Sequence, residues 1–335
     1  MIYNSFDNPG LVKVLTFLQT HNTEYLSGQD LSDVLRISRV AVWKHIKKIQ
    51  ELGYTVESKQ KLGYKLTENS EKLLPWEITL GLKTKFIGKQ AYYFDSTDST
   101  QNQALKMSDI EENNGAIIVA EKQTGGKGRS GRKWVSPKGG IWFSIILHPK
   151  FDISITTLFP IASALALSLA IEKTLQIFPE LKWPNDLTMK GKKLAGMLVD
   201  VSLESNKIEN LVLGVGINFD VDVKQIEKIL KGTPNFYGVA TLSEHKSKIR
   251  SVELVQSFLI ELERIYKLLN TKQTKKIISE WTKRSSTIGK NVRLNTIDGE
   301  VKGKAIRIDE DGALVISNNN LTTRVIAGDI IHIEK

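Results

Sequence analysis

Apolar positions Leu11, Val14, Leu15 and Leu18 recur at i, i+3, i+4 and i+7, the spacing of one buried helix face, and predict a first helix opening after Pro9–Gly10. Ser27 with Asp30 three residues on reads as a capping pattern and starts a short second helix that buries Leu31, Val34 and Leu35. In RISRVAVWKHIKKIQELGY, Ser38 caps a third helix. Its Val42, Ile46 and Ile49 face inward, leaving Arg39, Lys44, Lys47 and Lys48 outside. After Gly53 the pattern changes to two short strands about a basic turn at Lys59, Lys61 and Gly63. Three helices followed by a basic hairpin make a winged helix-turn-helix over residues 1–66. Cations fall on both the third helix and the hairpin, where phosphates would run, so DNA is the expected partner. Ser38, Arg39, Val40, Lys44, Lys47, Lys59 and Lys61 are the expected contact residues.

A polar boundary follows at residues 67–75. Strand-like AYYFDS, GAIIVAE, IWFSIILH, LAGMLVDVSL and NLVLGVGINF then alternate with helical 155–178 and 252–269. Turns and irregular loops rather than regular crossover helices separate the strands, which predicts a mixed sheet over residues 75–283. The apolar strand at 139–149 reads as a sheet edge and a candidate dimer surface, or equally as an ordinary core strand. From 285 to 335 short β segments with turns at Asp298–Gly299, Asp311–Gly312 and Asn318–Asn320 predict a small SH3-like β-barrel. The whole is an α+β multidomain chain.

With 335 residues the chain can hold several cores, and 41% hydrophobic with 25% charged residues is ordinary for a globular protein. The net charge of +10 favours an anionic partner. The absence of cysteine excludes disulfides and thiolate chemistry. Histidines 21, 45, 148, 245 and 332 are scattered, so no metal site is expected from protein ligands. No secretory leader is evident, and the most apolar segment, residues 158–171, falls short of the ~20 residues a membrane span needs. A cytoplasmic location and no membrane partner are expected.

The densest chemistry lies in GGKGRSGRKW, residues 125–134. Gly126, Gly128 and Gly131 have the dinucleotide-binding spacing, but Pro137, Gly139 and Gly140 follow where that motif needs a helix. What remains is a loose backbone presenting Lys127, Arg129, Arg132 and Lys133, suited to wrapping an anion. LKWPNDL concentrates Lys182, Trp183, Asn185 and Asp186 at a strand end. Lys193 stands beside Ala195–Gly196, small residues that would let a ligand approach the backbone, and GVGIN ends another strand at Asn218. Ser99 and Thr100 offer hydroxyls to a polar head group, or equally cap the helix after them.

These five motifs, Asp98–Thr100, Gly126–Trp134, Lys182–Asp186, Lys193–Gly196 and Gly214–Asn218, together resemble the biotin protein ligases. With the winged helix ahead of them they resemble the bifunctional ligase and biotin-operon repressor kind, across essentially the whole chain. The resemblance implies a class II synthetase-like catalytic domain that activates biotin with MgATP to biotinyl-5'-adenylate. Biotin then passes to a lysine of the biotin carboxyl carrier protein, and the adenylate-bound dimer binds operator DNA. It implies catalytic roles for Lys193, Arg129, Lys127 and Asp186. Ser99, Thr100, Gln101, Gln123, Lys127, Gly128, Arg129, Lys193 and Gly196 would hold biotin. Arg129, Arg132, Trp134, Lys182, Asn185 and Asn218 would hold ATP. The chain departs from the family pattern at Lys127, Ser130 and Gln101, where Arg, Arg and Asn are usual. A biotin-sensing repressor without ligase activity would keep the same domains, and the related lipoate ligases lack the DNA-binding module and GRSGRKW.

Overall fold

The computed structural model describes residues 2–4, 7–233, 236–245, 249–296, 299–319 and 321–332. Strand β1 (Ile2–Asn4) precedes the helices α1 (Pro9–Thr20), α2 (Gly28–Leu35) and α3 (Arg39–Glu51) and the hairpin β2 (Thr55–Lys59)–β3 (Gly63–Glu68). Ser27 and Ser38 accept hydrogen bonds from the Asp30 and Ala41 backbone N–H groups, so both helices start where the caps put them. Leu11, Val14, Leu15, Leu18, Val42, Ile46 and Ile49 are buried as their spacing requires. Two expectations fail. Val34 is 57% exposed, because α2 has only two turns and turns Leu31 inward, which puts the i+3 position on its solvent shoulder. Lys48 is half-buried, its ammonium 3.0 Å from Glu51 and 6.0 Å from the Tyr3 ring centroid, so it faces β1 rather than the outer face.

The central unit continues with α4 (Pro75–Thr79), β4 (Ala91–Phe94), α5 (Thr100–Leu105), β5 (Ile117–Ala120), β6 (Ile141–Leu147) and α6 (Phe159–Leu175). It goes on through β7 (Glu180–Lys182), β8 (Asp186–Met189), β9 (Lys192–Glu204), β10 (Lys207–Ile217), α7 (Val223–Leu230), α8 (Ser251–Asn270) and α9 (Thr274–Lys283). Its sheet runs β1-β4-β5-β6-β10-β9-β8-β7, antiparallel except for β4 with β5. The expected sheet edge at 139–149 is therefore corrected. β6 lies between β5 and β10 with all seven residues buried, because its apolar side chains cover both faces of the sheet centre. α6 and α8 pack together, and Phe159, Leu165, Phe258 and Leu262 belong to the main core.

Residues 2–4, part of the expected 1–66 unit, pair with β4 of the central sheet. Tyr3, Trp76 and Tyr93 join the winged-helix core. The seam is sealed by a buried carboxylate: Glu77 accepts from Tyr54 Oη at 2.6 Å, Gln19 Nε2 at 3.1 Å and Arg250 Nη2 at 2.7 Å. Trp76 Nε1 in turn donates to Tyr54 Oη at 2.9 Å.

The last strands, β11 (Asn291–Thr296), β12 (Gly299–Ile308), β13 (Leu314–Asn318), β14 (Leu321–Val325) and β15 (Asp329–His332), form an antiparallel sheet in the order β14-β13-β12-β11-β15. Asp311–Gly312 makes its expected turn with Gly312 at φ 89°. Asp298 and Asn320 lie outside the described residues. No helix among the described residues is long and apolar enough to cross a membrane.

Candidate active site

One open cleft gathers residues from all five motifs. Ser99, Thr100, Gln101, Gln123, Lys127, Gly128, Arg129, Arg132, Trp134, Lys182, Asn185, Asp186, Lys193, Gly196 and Asn218 all line it. The expected DNA-contact residues lie elsewhere, on α3 and the hairpin.

At one end, α5 begins at Thr100, and Ser99 precedes it without using its hydroxyl as a cap, which removes the capping alternative for that side chain. Gln123 Oε1 accepts from the Thr100 backbone N–H at 2.7 Å and from Oγ1 at 3.1 Å. Thr100 Oγ1 also lies 2.9 Å from Ser144 Oγ, which donates to Gln101 Oε1 at 2.9 Å. Gln101 Nε2 donates to Asp200 Oδ2 and to the Val212 carbonyl, both at 3.0 Å. Its amide is thus engaged within the protein and holds Thr100 through Ser144. Burial at low dielectric makes such a chain stiff when every member is paired.

Gly214 pairs with Ser144 across β10 and β6, and a Cβ there would stand 2.5 Å from Gln101 Oε1. Gly196 and Gly216 pair with each other across β9 and β10. A Cβ on Gly216 would meet the Trp134 indole at 2.5 Å, and one on Gly196 would stand 3.1 Å from it. Two glycines side by side leave a flat strip of sheet on which the indole rests. The backbone is approached there by a protein side chain. Trp134 also meets Trp142 edge-on at 6.3 Å, and its Nε1 is buried without a hydrogen-bond partner.

The glycine-rich segment is a tight loop. Gly128 N–H donates to the Arg132 carbonyl at 2.7 Å and Trp134 N–H to the Gly126 carbonyl at 2.9 Å. Ser130 and Gly131 take positive φ of 55° and 71°, which closes the turn without forming the helix a dinucleotide fold would need. Lys127, Arg132 and Lys133 are exposed, while half-buried Arg129 reaches back to Asn185 Oδ1 at 3.0 Å and the Gly328 carbonyl at 3.4 Å. Asn185 Nδ2 donates to the Met197 carbonyl.

Opposite the loop, Lys193 Nζ stands 2.8 Å from Asp186 Oδ1 and 5.0 Å from the Trp134 ring centroid. Asp186 Oδ1 nevertheless receives no aligned hydrogen bond, so the ammonium is attracted but not locked. Asn218 Nδ2 donates to the Lys193 carbonyl at 3.1 Å, and the Lys193 N–H donates to Gly238 at 3.0 Å, so the main chain beneath this lysine is pinned on both sides. Tyr237 Oη donates to Asp186 Oδ2 at 2.7 Å, and Lys182 Nζ stands 3.6 Å from the Tyr237 ring centroid. Burial lowers the Lys182 pKa and, with Asp186 adding to it, raises that of Tyr237.

Sequence reasoning passed over Ser144, Tyr237, Gly328 and the apolar wall of Ile226, Leu230, Phe236 and Val239. A serine inside an apolar strand was a legible signal for Ser144. Nothing local marks Tyr237 or Gly328, which reach the cleft from distant segments.

Residues 93–218 match the biotin/lipoate A/B protein ligase family, residues 11–65 an HTH domain and residues 287–333 the biotin protein ligase C-terminal domain. A ligase core carrying its own helix-turn-helix is the class of protein defined here. The chain is 34% identical to the bifunctional ligase/repressor BirA of Bacillus subtilis over 94% of its length and 95% of the relative's. It is 29% identical to BirA of Escherichia coli over 97% of both chains. The biotin protein ligase of Aquifex aeolicus, solved with biotin and ATP, superposes with a TM-score of 0.61 at 26% identity, covering 75% of this chain and all of that one. The chain belongs to the biotin protein ligase family, among its bifunctional ligase/repressors.

Proposed function

We propose that the cleft joins biotin to the nucleotide and that the winged helix represses transcription when the ligand is bound. The biotin carboxylate attacks the α-phosphorus of ATP, the bond to the β-phosphate breaks, and pyrophosphate leaves with biotinyl-5'-adenylate retained. A lysine amine of the biotin carboxyl carrier protein then attacks the acyl carbon, forming an amide and releasing AMP. The supporting observation is the charge pattern: Lys127, Arg129, Arg132, Lys182 and Lys193 line one cleft in which Asp186 is the single carboxylate among the described lining residues. Two anions must meet there, and preset cations and N–H groups are what such a reaction requires.

Thr100, backed by Ser144 and Gln101, and Ser99 face the biotin ring. Gln123 fixes the start of α5, while Lys127, Gly128, Arg129, Lys193 and Gly196 complete that end. Arg132, Trp134, Lys182, Asn185 and Asn218, with Arg129, serve the nucleotide. Arg129 bridges the two ends, and Lys193, released from Asp186, neutralises charge developing at phosphorus. The loop covers the adenylate and keeps water from it. Magnesium arrives with the nucleotide as part of the substrate. No cluster of three or more metal-ligating side chains occurs among the described residues, and Asp186 is the carboxylate able to touch that ion. We place the three functional units at residues 1–66, 75–283 and 285–335, and the adenylate-bound form acts on operator DNA as a homodimer. Biotin-dependent exchange of pyrophosphate into ATP tests the ligase half, with lipoate as the comparison. Exchange with biotin alone is expected, and none with either acid would overturn it.

A further inference from the structure

We infer that Val40 and Trp43 read thymine methyl groups in the major groove of double-stranded DNA, an inference that rests on the repressor reading above. Both side chains stand on α3 in the open, Val40 63% and Trp43 51% exposed. With Lys44 and Lys47 they occupy positions i, i+3, i+4 and i+7 of one helix stripe. The opposite stripe, Val42, Ile46 and Ile49, is buried against α1 and α2, so the outer stripe is not needed to hold the domain together. Half-exposed tryptophan on a solvated helix face is unfavourable, and a single exposed apolar residue needs no explanation. Here two of them alternate with cations.

That alternation selects the partner. A protein surface covering Val40 and Trp43 would also cover Arg39, Lys44 and Lys47, all exposed, and would bury charge beside apolar contacts. The major groove meets both demands together. It admits an α-helix, its walls are phosphate rows for the cations, and among its base edges the thymine C5 methyl is the apolar group. Exposed Lys59 and Lys61 on the hairpin extend the cationic footprint to the flanking backbone. The division of labour follows: the lysines supply affinity without sequence, and Val40 and Trp43 supply a preference for thymine at fixed positions.

The test places the chemical change in the DNA. Full-length protein with biotin and MgATP selects duplexes from a randomised pool, and fluorescence anisotropy measures the retained duplex with each thymine replaced in turn by deoxyuridine. At one or two positions per half-site, loss of the methyl weakens binding about fourfold, which is the ~0.8 kcal/mol of one buried carbon at 1.4 kcal/mol per tenfold. Val40→Ala and Trp43→Ala each lose the thymine–uracil difference at the position that side chain reads, and the double variant loses it at all of them, with the salt slope unchanged. Lys44→Ala lowers that slope and keeps the discrimination. Equal affinity of the unaltered protein for thymine and uracil at every position overturns this inference while leaving the repressor reading intact. Failure to retain any duplex overturns both.

Discussion

In the ligase cleft Ser99, Thr100, Gln101, Asn185 and Asn218 are all less than a tenth exposed, whereas along the outer face of α3 Val40 and Trp43 are more than half exposed. Each region reverses the usual sorting of side chains, in opposite senses. A buried polar group must find its hydrogen bonds within the fold, so the cleft's geometry is set before any ligand arrives. Exposed apolar groups need no such partner, so the outer face of α3 gains nothing from them until another surface covers it. Substitutions in the cleft are therefore expected to change a rate, and those on α3 a binding constant alone.

Lys193→Met gives the largest effect, a fall of about 10³-fold in biotin-dependent pyrophosphate exchange, at the upper end of what one preset charge donor contributes. DNA affinity of the unliganded chain should stay where it was, and retained exchange would dissolve the distinction between the two regions. Glu77→Ala comes next and attacks the seam between them. It leaves the Arg250 guanidinium half-buried without its carboxylate, at a cost of about 3 kcal/mol. A denaturant titration should show that loss, with the winged helix cleaved sooner by protease than the ligase core. Lys47→Ala should weaken binding several-fold on every duplex and lower the log–log salt slope by about 0.9, with exchange unchanged.

A separate effect, on the C-terminal sheet rather than on either region, comes from pH. Burial, with Lys182 and Lys290 nearby, depresses the His332 pKa from 6.5 to about 4. As pH falls the unfolded chain takes up that proton first, so the contribution of His332 to stability is whole above about 6.5 and lost between there and about 4. Melting curves over this window should show the C-terminal sheet loosening before the winged helix. His332→Gln should flatten that part of the profile. Because Gly328 and Ile330 of the same segment line the cleft, that wall of the cleft should share the loss.

The winged helix was legible almost completely. Its helices declare themselves by caps at Ser27 and Ser38 and by 3.6-residue periodicity, both short-range signals. The cleft was legible as five motifs, because glycine, proline and charge mark special backbone wherever they cluster. What the glycines are for was not. Gly196 read as room for a ligand, and its pairing with Gly216 across β9 and β10 makes the two glycines the bed of Trp134. Gln101 read as a ligand contact, and its amide is held by Asp200, Ser144 and Val212. The apolar run of β6 read equally as an edge or a core strand, since a strand buried on both faces and an exposed hydrophobic edge look alike in one dimension.

By itself, then, the sequence determined the order of the units, the helices of the first, the cationic loop and the residue types that gather in the cleft. Local periodicity and local chemistry are enough for those. Only the tertiary structure decided which strands are neighbours, that β1 joins the ligase sheet, that Tyr237 and Gly328 reach the cleft, and that Glu77 closes the seam. Each of these is a contact between groups far apart in the chain. Its free energy exists only after the intervening residues have folded, so no short window of sequence carries its trace.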